Sequence, residues 1–334
     1  MISKTTDIST PGKSSNLVSK VVGSVGISAL LVLVTGICVF TPSLLFFRQL
    51  TDYTFYIMLG LGGFGFISFL LKQDRIMMVS LLCCCVLCLY LKGSANKQMR
   101  LTPVTSNPSL KIAHISLGNA ENDYDLVIDY IGHLDADIIS FQELTPDWNA
   151  QLTKRLSPEF AYIKTMTRLD PYGMGFFSKI PLRDVDTIYF QQVPSLITSI
   201  NIGDNHICNI VSCTVIPPVN QAAFVTISKH FAYLTSYLRK LNGGVILLGD
   251  LHLPPWTAEV QQFKTTANLQ DSRRDTNPRN LDGSISLPRI PVDHIFYGDK
   301  FDCTSFSELG NSVVGRLGIT GTYQIHEGDT QSIQ

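Results

Sequence analysis

Charge is what the first third of this chain has least of. Up to Pro108 it carries nine Lys or Arg and three Asp or Glu, and the stretches Val21 to Phe47, Tyr53 to Leu71 and Ile76 to Leu91 have none. About 20 apolar residues cross a bilayer as a helix, so a water-soluble N-terminal domain is excluded. Three spans are expected at about 21–47, 53–71 and 76–91, the first bent or ended near Pro42, after a polar tail over 1–20. No charged residue lies within a span to mark a transport path through the bilayer.

Paired cysteine is missing too. Five of the eight cysteines (Cys38, Cys83, Cys84, Cys85, Cys88) lie in the apolar runs, leaving Cys208, Cys213 and Cys303 elsewhere. An odd number without paired spacing indicates neither a disulfide framework nor a zinc site. A basic surplus is also absent from Ser109 onward, where 17 Lys and Arg face 24 Asp and Glu. Proteins that hold long nucleic acids draw affinity from neutralising phosphates. The acidic balance therefore argues against long duplexes and favours a small or lipid-linked phosphate ester, with the bilayer as the chain's other partner.

Three spans place the two ends on opposite sides. Lys4, Lys13, Lys20, Lys72 and Arg75 fall on one side, and Arg48, Lys92, Lys97 and Arg100 on the other. The basic start tips the balance to an inside N-terminus, which makes this a multi-pass inner (plasma) membrane protein with its globular domain outside. A proline-punctuated linker over 93–109 leads to that domain, expected over 110–326, with a short tail over 327–334.

Within it, strand-like and helix-like patterns alternate. Lys111 to Ser116 reads as a strand. Leu126, Val127, Tyr130, Ile131 and Leu134 mark a helix capped by Asn122 or Asp123, and Ala136 to Phe141 is a buried strand. Trp148, Leu152 and Leu156 lie on one helix face. Further strands are expected around Ile188, Ile197 to Ile202 and His206 to Ser212. Phe224, Ile227, Phe231, Leu234, Leu238 and Leu241 form the apolar face of a long helix. The run Gly244-Gly-Val-Ile-Leu-Leu-Gly-Asp-Leu-His-Leu-Pro-Pro-Trp256 is a strand covered on both faces that ends in Asp250, since Pro254 and Pro255 forbid its continuation. Val292 to Tyr297 is another strand, and the class is α/β. Trp148 and Trp256 read as packing residues.

Glu143 and Asp250 each follow a buried apolar strand, and Asp293 opens one, joined directly to His294. Carboxylates converging at a rim suit magnesium, which takes hard oxygen ligands and keeps waters for a substrate phosphate. The residues from Tyr124 through Asp137-Ile-Ile-Ser-Phe-Gln-Glu143, then Gly173-Met-Gly-Phe-Phe-Ser178, Gly249-Asp-Leu-His252, Asp271-Ser-Arg-Arg274 and Ile290-Pro-Val-Asp-His294 occur in an order that resembles the endonuclease/exonuclease/phosphatase superfamily. The nearest likeness is to bacterial members with an N-terminal transmembrane module. The resemblance implies a four-layer α/β sandwich of the DNase I-like kind and metal-assisted attack of water on a phosphodiester or phosphomonoester. It marks Glu143 for the metal, magnesium or manganese. Asp250, His252, Asp293 and His294 form the catalytic set, with Asp250 orienting or deprotonating the water and Asp293 pairing with a distant histidine. Ser116, Thr214, Arg273 and Arg274 border the substrate.

The chain departs from the superfamily pattern at several points. Ser116 stands where an asparagine is expected, Thr214 (or Cys213) where a histidine is expected, and His252 replaces the asparagine of Gly-Asp-x-Asn. The closing Ser-Asp-His is missing, the corresponding stretch reading Gly318 to Ile325, so Asp293 lacks its expected partner. His252 and His326 are the candidates to replace it. Losing an acid-base or electrostatic group costs about 10²-fold to 10⁴-fold in rate. Two readings therefore stand: a metal-dependent phosphoester hydrolase with an incomplete catalytic set, and a pseudoenzyme that serves as a binding or scaffold module at the membrane.

Overall fold

The computed structural model describes residues 12–42, 44–96, 103, 107–120, 124–203, 206–274 and 289–325. The chain divides into two compact units, Met1–Leu91 and Lys92–Gln334.

The first unit is helical: α1 (Gly12–Phe40), α2 (Leu45–Asp52), α3 (Thr54–Leu70) and most of α4 (Asp74–Ser94). Helix α1 ends two residues before Pro42, because proline cannot donate to the ladder. Val21–Phe40 and Asp74–Ser94 are each long and apolar enough to cross a membrane, and α2 with α3, bent by 70°, makes a third if the pair is one broken span. Gly65 of α3 packs close against α4. A Cβ there would lie 2.8 Å from Leu81, and nearby the Ser80 hydroxyl donates to the Leu61 carbonyl at 2.7 Å. Small residues allow such approach between apolar helices. Gly60 and Gly63 face open space.

The second unit is built on two six-stranded sheets. The first holds β1 (Ser109–Ser116), β2 (Ile138–Gln142), β3 (Tyr162–Met166), β4 (Met174–Ser178), β11 (Phe301–Asn311) and β12 (Gly315–Ile325), in the order β11-β12-β1-β2-β4-β3. The second holds β5 (Arg183–Phe190), β6 (Val193–Ile202), β7 (His206–Cys213), β8 (Gly244–Asp250), β9 (Gln270–Asp271) and β10 (Asp293–Tyr297), in the order β5-β6-β7-β8-β10-β9. In each sheet a central pair is parallel, β1 with β2 and β7 with β8, and the other pairings are antiparallel.

Strand alternation divides the core into layers. Ile112, Ile138 and Phe176 face Ile210, Ile246, Leu248 and Ile295 between the sheets. Their sequence neighbours Ala113, Ile139 and Phe177 point outward, onto α5 (Tyr124–Gly132) and α6 (Pro146–Leu156). Helix α6 starts where Thr145 accepts from the Trp148 amide ahead of Pro146 at the first turn. On the far side α7 (Gln221–Leu238) and α8 (Ala258–Thr266) stack Phe231 on Phe263, whose ring edge meets Phe296 of β10. The architecture is a four-layer α/β sandwich of the DNase I-like type. Each fully buried Ile, Leu or Phe contributes about 1.5–3 kcal/mol, and these strands bury them on both faces.

Some local expectations shift. In α5 the buried residues are Val127, Ile128 and Ile131, while Leu126 is half exposed. The helix turns one residue further round than the i, i+4 pattern through Leu126 implies. Asn122 and Asp123 lie outside the described residues. Leu241 follows the end of α7. Ser94 and Asn96, from the expected linker, are bound into the second unit: the Ser94 carbonyl accepts from Lys264 Nζ at 3.0 Å, and Asn96 Nδ2 donates to the Asp271 carbonyl at 2.7 Å.

Candidate active site

The inward residues of the central strands change from apolar to polar at one end of the sandwich. On β1, Leu110 and Ile112 give way to His114 and Ser116, and on β2, Ile138 gives way to Ser140 and Gln142. On β7, Cys208 and Ile210 are followed by Ser212, and on β8, Ile246 and Leu248 by Asp250. Strand β10 runs antiparallel to β8, so its first residue, Asp293, lies at the same end.

Buried polar groups need partners, and here they cross between the sheets. Ser140 donates to Ser212 at 2.9 Å. Gln142 Nε2 donates to the Cys213 carbonyl at 2.8 Å, and its Oε1 accepts from the Asp250 amide at 3.0 Å. This close approach requires Gly249. Its φ is +152°, and a Cβ would lie 1.7 Å from the Cys213 carbonyl oxygen and 2.7 Å from Gln142 Nε2.

Asp250 is thereby fixed at its backbone, while its side chain keeps 13% of its surface exposed. Its Oδ1 accepts from the His252 amide at 2.7 Å and lies 3.3 Å from His252 Nδ1. His252 holds a left-handed φ of +51°, a conformation that costs about 1 kcal/mol or more outside glycine. Burial pushes the Asp250 carboxyl above the ordinary aspartate range. His252 opposes that shift, and the negative charge of Asp293 reinforces it.

Asp293 sits directly opposite Asp250 in the β8–β10 register and is surrounded by cations and imidazole. His114 Nε2 lies 3.5 Å from its Oδ1, and Arg316 Nη2 donates to its Oδ2 at 3.3 Å. Arg273 Nη2 donates to its carbonyl, also at 3.3 Å. Burial alone would raise this carboxyl, but His114, Arg316 and Arg273 outweigh it and hold it down at about 2. Glu308 completes the cluster, 3.6 Å from Arg316 Nη2 and 3.7 Å from Arg273 Nη1.

Glu143 follows Gln142 and turns the chain with φ +57°. Its Oε1 accepts from Ser116 Oγ at 2.9 Å, and the carboxylate lies so close to Gly118 that a Cβ there would be 2.0 Å from Oε2. No group of three His, Cys, Asp or Glu able to hold a metal ion forms among the described residues. The donor set is thus one carboxylate, partly buried and oriented by a hydroxyl. Zinc, which takes nitrogen and sulfur ligands, and calcium, which takes six to eight oxygens, are poorly served. Magnesium keeps several waters and needs one or two carboxylates beside substrate phosphates, and manganese shares its oxygen preference. Glu143 with Ser116 meets that demand.

Of the remaining residues marked in the sequence, Arg273 belongs to the Asp293 cluster and the others lie elsewhere. Thr214 is buried just beyond β7, and its hydroxyl donates to the Val215 carbonyl at 3.5 Å. His294 is on the opposite face of β10 from Asp293, with Nε2 2.8 Å from the Leu253 carbonyl and Nδ1 3.9 Å from Asp271 Oδ2. Arg273 is buried over the Phe306 ring. Arg274 is turned to the Cys303 carbonyl at 2.6 Å. His326 lies outside the described residues. Sequence reasoning missed His114, Gln142, Glu308 and Arg316. The inward alternation of His114 with Ser116 and of Gln142 with Ser140 was the available signal for the first two. Glu308 and Arg316 belong to β11 and β12, strands the sequence pattern did not show.

The sequence profile of the Endonuclease/Exonuclease/phosphatase family matches residues 115–314. No curated protein matches the chain. Among solved structures, zebrafish (D. rerio) TDP2 complexed with a single-strand DNA product is similar at 17% identity and a TM-score of 0.52, covering 64% of this chain and 98% of its own. The endonuclease/exonuclease/phosphatase from Bacteroides vulgatus is similar at 13% identity and a TM-score of 0.53, covering 65% and 99%. That from Beutenbergia cavernae, also at 13% and with a TM-score of 0.52, covers 65% and 72%. At these identities the likeness shows the fold. With the profile spanning more than half the chain, and with Glu143, Asp250 and Asp293 gathered at the polar end of the sandwich, this protein belongs to the endonuclease/exonuclease/phosphatase family.

Proposed function

We propose that the domain hydrolyses a phosphoester, with Asp250 as the base that takes a proton from the attacking water. The observation that carries this reading is the opposed tuning of two acids in register: Asp250 is pushed up and Asp293 down. Such separation assigns acid and base roles in a shared site. Asp250, with its raised affinity for a proton, accepts one as the water oxygen bonds to phosphorus. The bond to the leaving oxygen breaks, and that oxygen takes a proton from His252, whose side chain is 32% exposed, or from solvent. Asp293 stays ionised and anchors Arg316 and His114. Members of this family are typically dependent on a divalent metal. Here Glu143 and Ser116 would hold magnesium or manganese, which supplies Lewis-acid polarisation of the phosphoryl oxygen when bound.

For substrate, the acidic balance of the domain and the apolar helices of the chain favour a small or lipid-linked phosphate ester over long nucleic acid. We place the N-terminus inside an inner (plasma) membrane and the domain outside it, following the distribution of basic residues. Accessibility of an engineered cysteine in the domain to a membrane-impermeant thiol reagent in intact cells checks that arrangement. A second reading, a binding module without turnover, is favoured by the partners that tie up Asp293.

The full-length chain in detergent, assayed with magnesium or manganese against a generic phosphodiester, a phosphomonoester and a phospholipid, separates the two. Metal-dependent turnover lost in both Asp250→Asn and Glu143→Ala supports hydrolysis. Absence of turnover on all three classes, with no metal binding by calorimetry, leaves the binding module.

A further inference from the structure

Arg316 lies at the start of β12 and is the most solvent-open member of the buried charge cluster. Its guanidinium bonds Asp293 through Nη2, and its Nε–H is buried with no partner among the described residues. Arg273, 97% buried, likewise has its Nε unbonded among the described residues, while its Nη1 lies 3.7 Å from Glu308 Oε1. Buried N–H groups of a cation are costly when unmet, and one on each of two neighbouring guanidiniums would gain from an acceptor. Asp293 holds Arg316 and faces Asp250, so the guanidinium and the base flank one carboxylate from two sides. A tetrahedral oxyanion bound beside Arg316 would lie next to Asp293 and its register partner Asp250. Planar guanidinium forks match phosphate oxygens.

We infer that Arg316 is the phosphoryl-binding residue of this site, contacting non-bridging oxygens of the substrate with Arg273 as electrostatic backing. The inference rests on the hydrolase reading for its substrate but not for the binding event. An arginine at this place binds through its planar fork and does not act as the acid for a leaving group, which leaves that task to His252 or solvent and favours esters with stable leaving groups.

The test uses the full-length chain in detergent with chelator present and inorganic phosphate as the probe, followed by calorimetry and by the shift in melting temperature. Phosphate should bind the unaltered protein without added metal. Arg316→Gln should weaken that binding about tenfold or more, the loss expected for a charge-assisted bond. Arg316→Lys, which keeps the charge but not the fork, should fall between them. Circular dichroism of each variant guards against misfolding, and a misfolded glutamine variant shifts the decision to the lysine variant. Phosphate binding undiminished in the folded variants overturns the inference, as does an unaltered protein that ignores phosphate in chelator. Binding that requires Arg316 in a protein without turnover upholds the inference and removes the hydrolase reading instead.

Discussion

Asp250 and Asp293 are direct partners across the antiparallel β8–β10 pair, and their carboxyls are driven in opposite directions. Burial beside a second acid makes ionised Asp250 unfavourable in the folded state. A carboxyl whose folded pKa is raised destabilises the fold above that pKa, and the penalty disappears as pH falls through it. Asp250→Asn should therefore raise stability near neutral pH by about 1 kcal/mol while lowering turnover roughly 10²-fold to 10⁴-fold. Thermal unfolding and steady-state rates on the same sample check both. Loss of stability with full retention of rate would remove Asp250 from the base role.

Glu143 packs its carboxylate against Gly118, and the atoms that a new Cβ would meet are the far end of a flexible side chain. Gly118→Ala should displace the carboxylate from Ser116 at small cost to the fold. The expected result is an apparent magnesium affinity at least about tenfold weaker, by analogy with disturbed groups around metal ligands, with the melting temperature nearly unchanged. Metal titration by calorimetry reads the first and a melting curve the second.

His230 is a titrating group away from the Asp250–Asp293 pair. It is buried in α7, its ring stacked on Phe190 at 4.6 Å and 12°, and burial lowers its pKa to about 4. A base with a depressed folded pKa leaves the unfolded chain to take the proton first. Its contribution is intact above about 6.5, the ordinary histidine value, and declines as pH falls toward 4, where the loss reaches on the order of 3 kcal/mol. His230→Phe should flatten that part of the stability curve, seen as a smaller fall in melting temperature between pH 7 and pH 4 than in the unaltered protein.

Periodicity made the central strands and the long helices legible, because burial on both faces leaves unbroken apolar runs such as Val245 to Leu248. The same signal located Glu143 and Asp250 at strand ends. Strands β11 and β12 stayed hidden: Phe301–Asn311 alternates apolar residues with Thr, Ser and Glu across two register shifts, and Gly315–Ile325 carries three glycines. The partner of Asp293 was hidden with them. Arg316 reaches it from β12, at a distance in sequence that local patterning does not span. His114 was overlooked for another reason. It sits in an apolar strand where a lone histidine reads as core, and only the neighbouring sheet shows what it faces.

Gln142 joins the two sheets at the point where they carry the base. One end of its amide donates to the Cys213 carbonyl and the other accepts the Asp250 N–H. Gln142→Met fills nearly the same volume and removes both bonds, leaving a buried donor and a buried acceptor unmet. A destabilisation of about 1–3 kcal/mol is expected. If Gln142 also positions Asp250, kcat should fall by more than the loss of folded protein explains, while KM for a small phosphoester stays within about twofold, as for an interaction made chiefly in the transition state. A purely structural glutamine would instead lower the amount of folded protein and leave kcat per folded molecule unchanged. Active-site titration alongside chemical denaturation distinguishes the two outcomes, because it counts competent sites independently of the rate at which each one turns over.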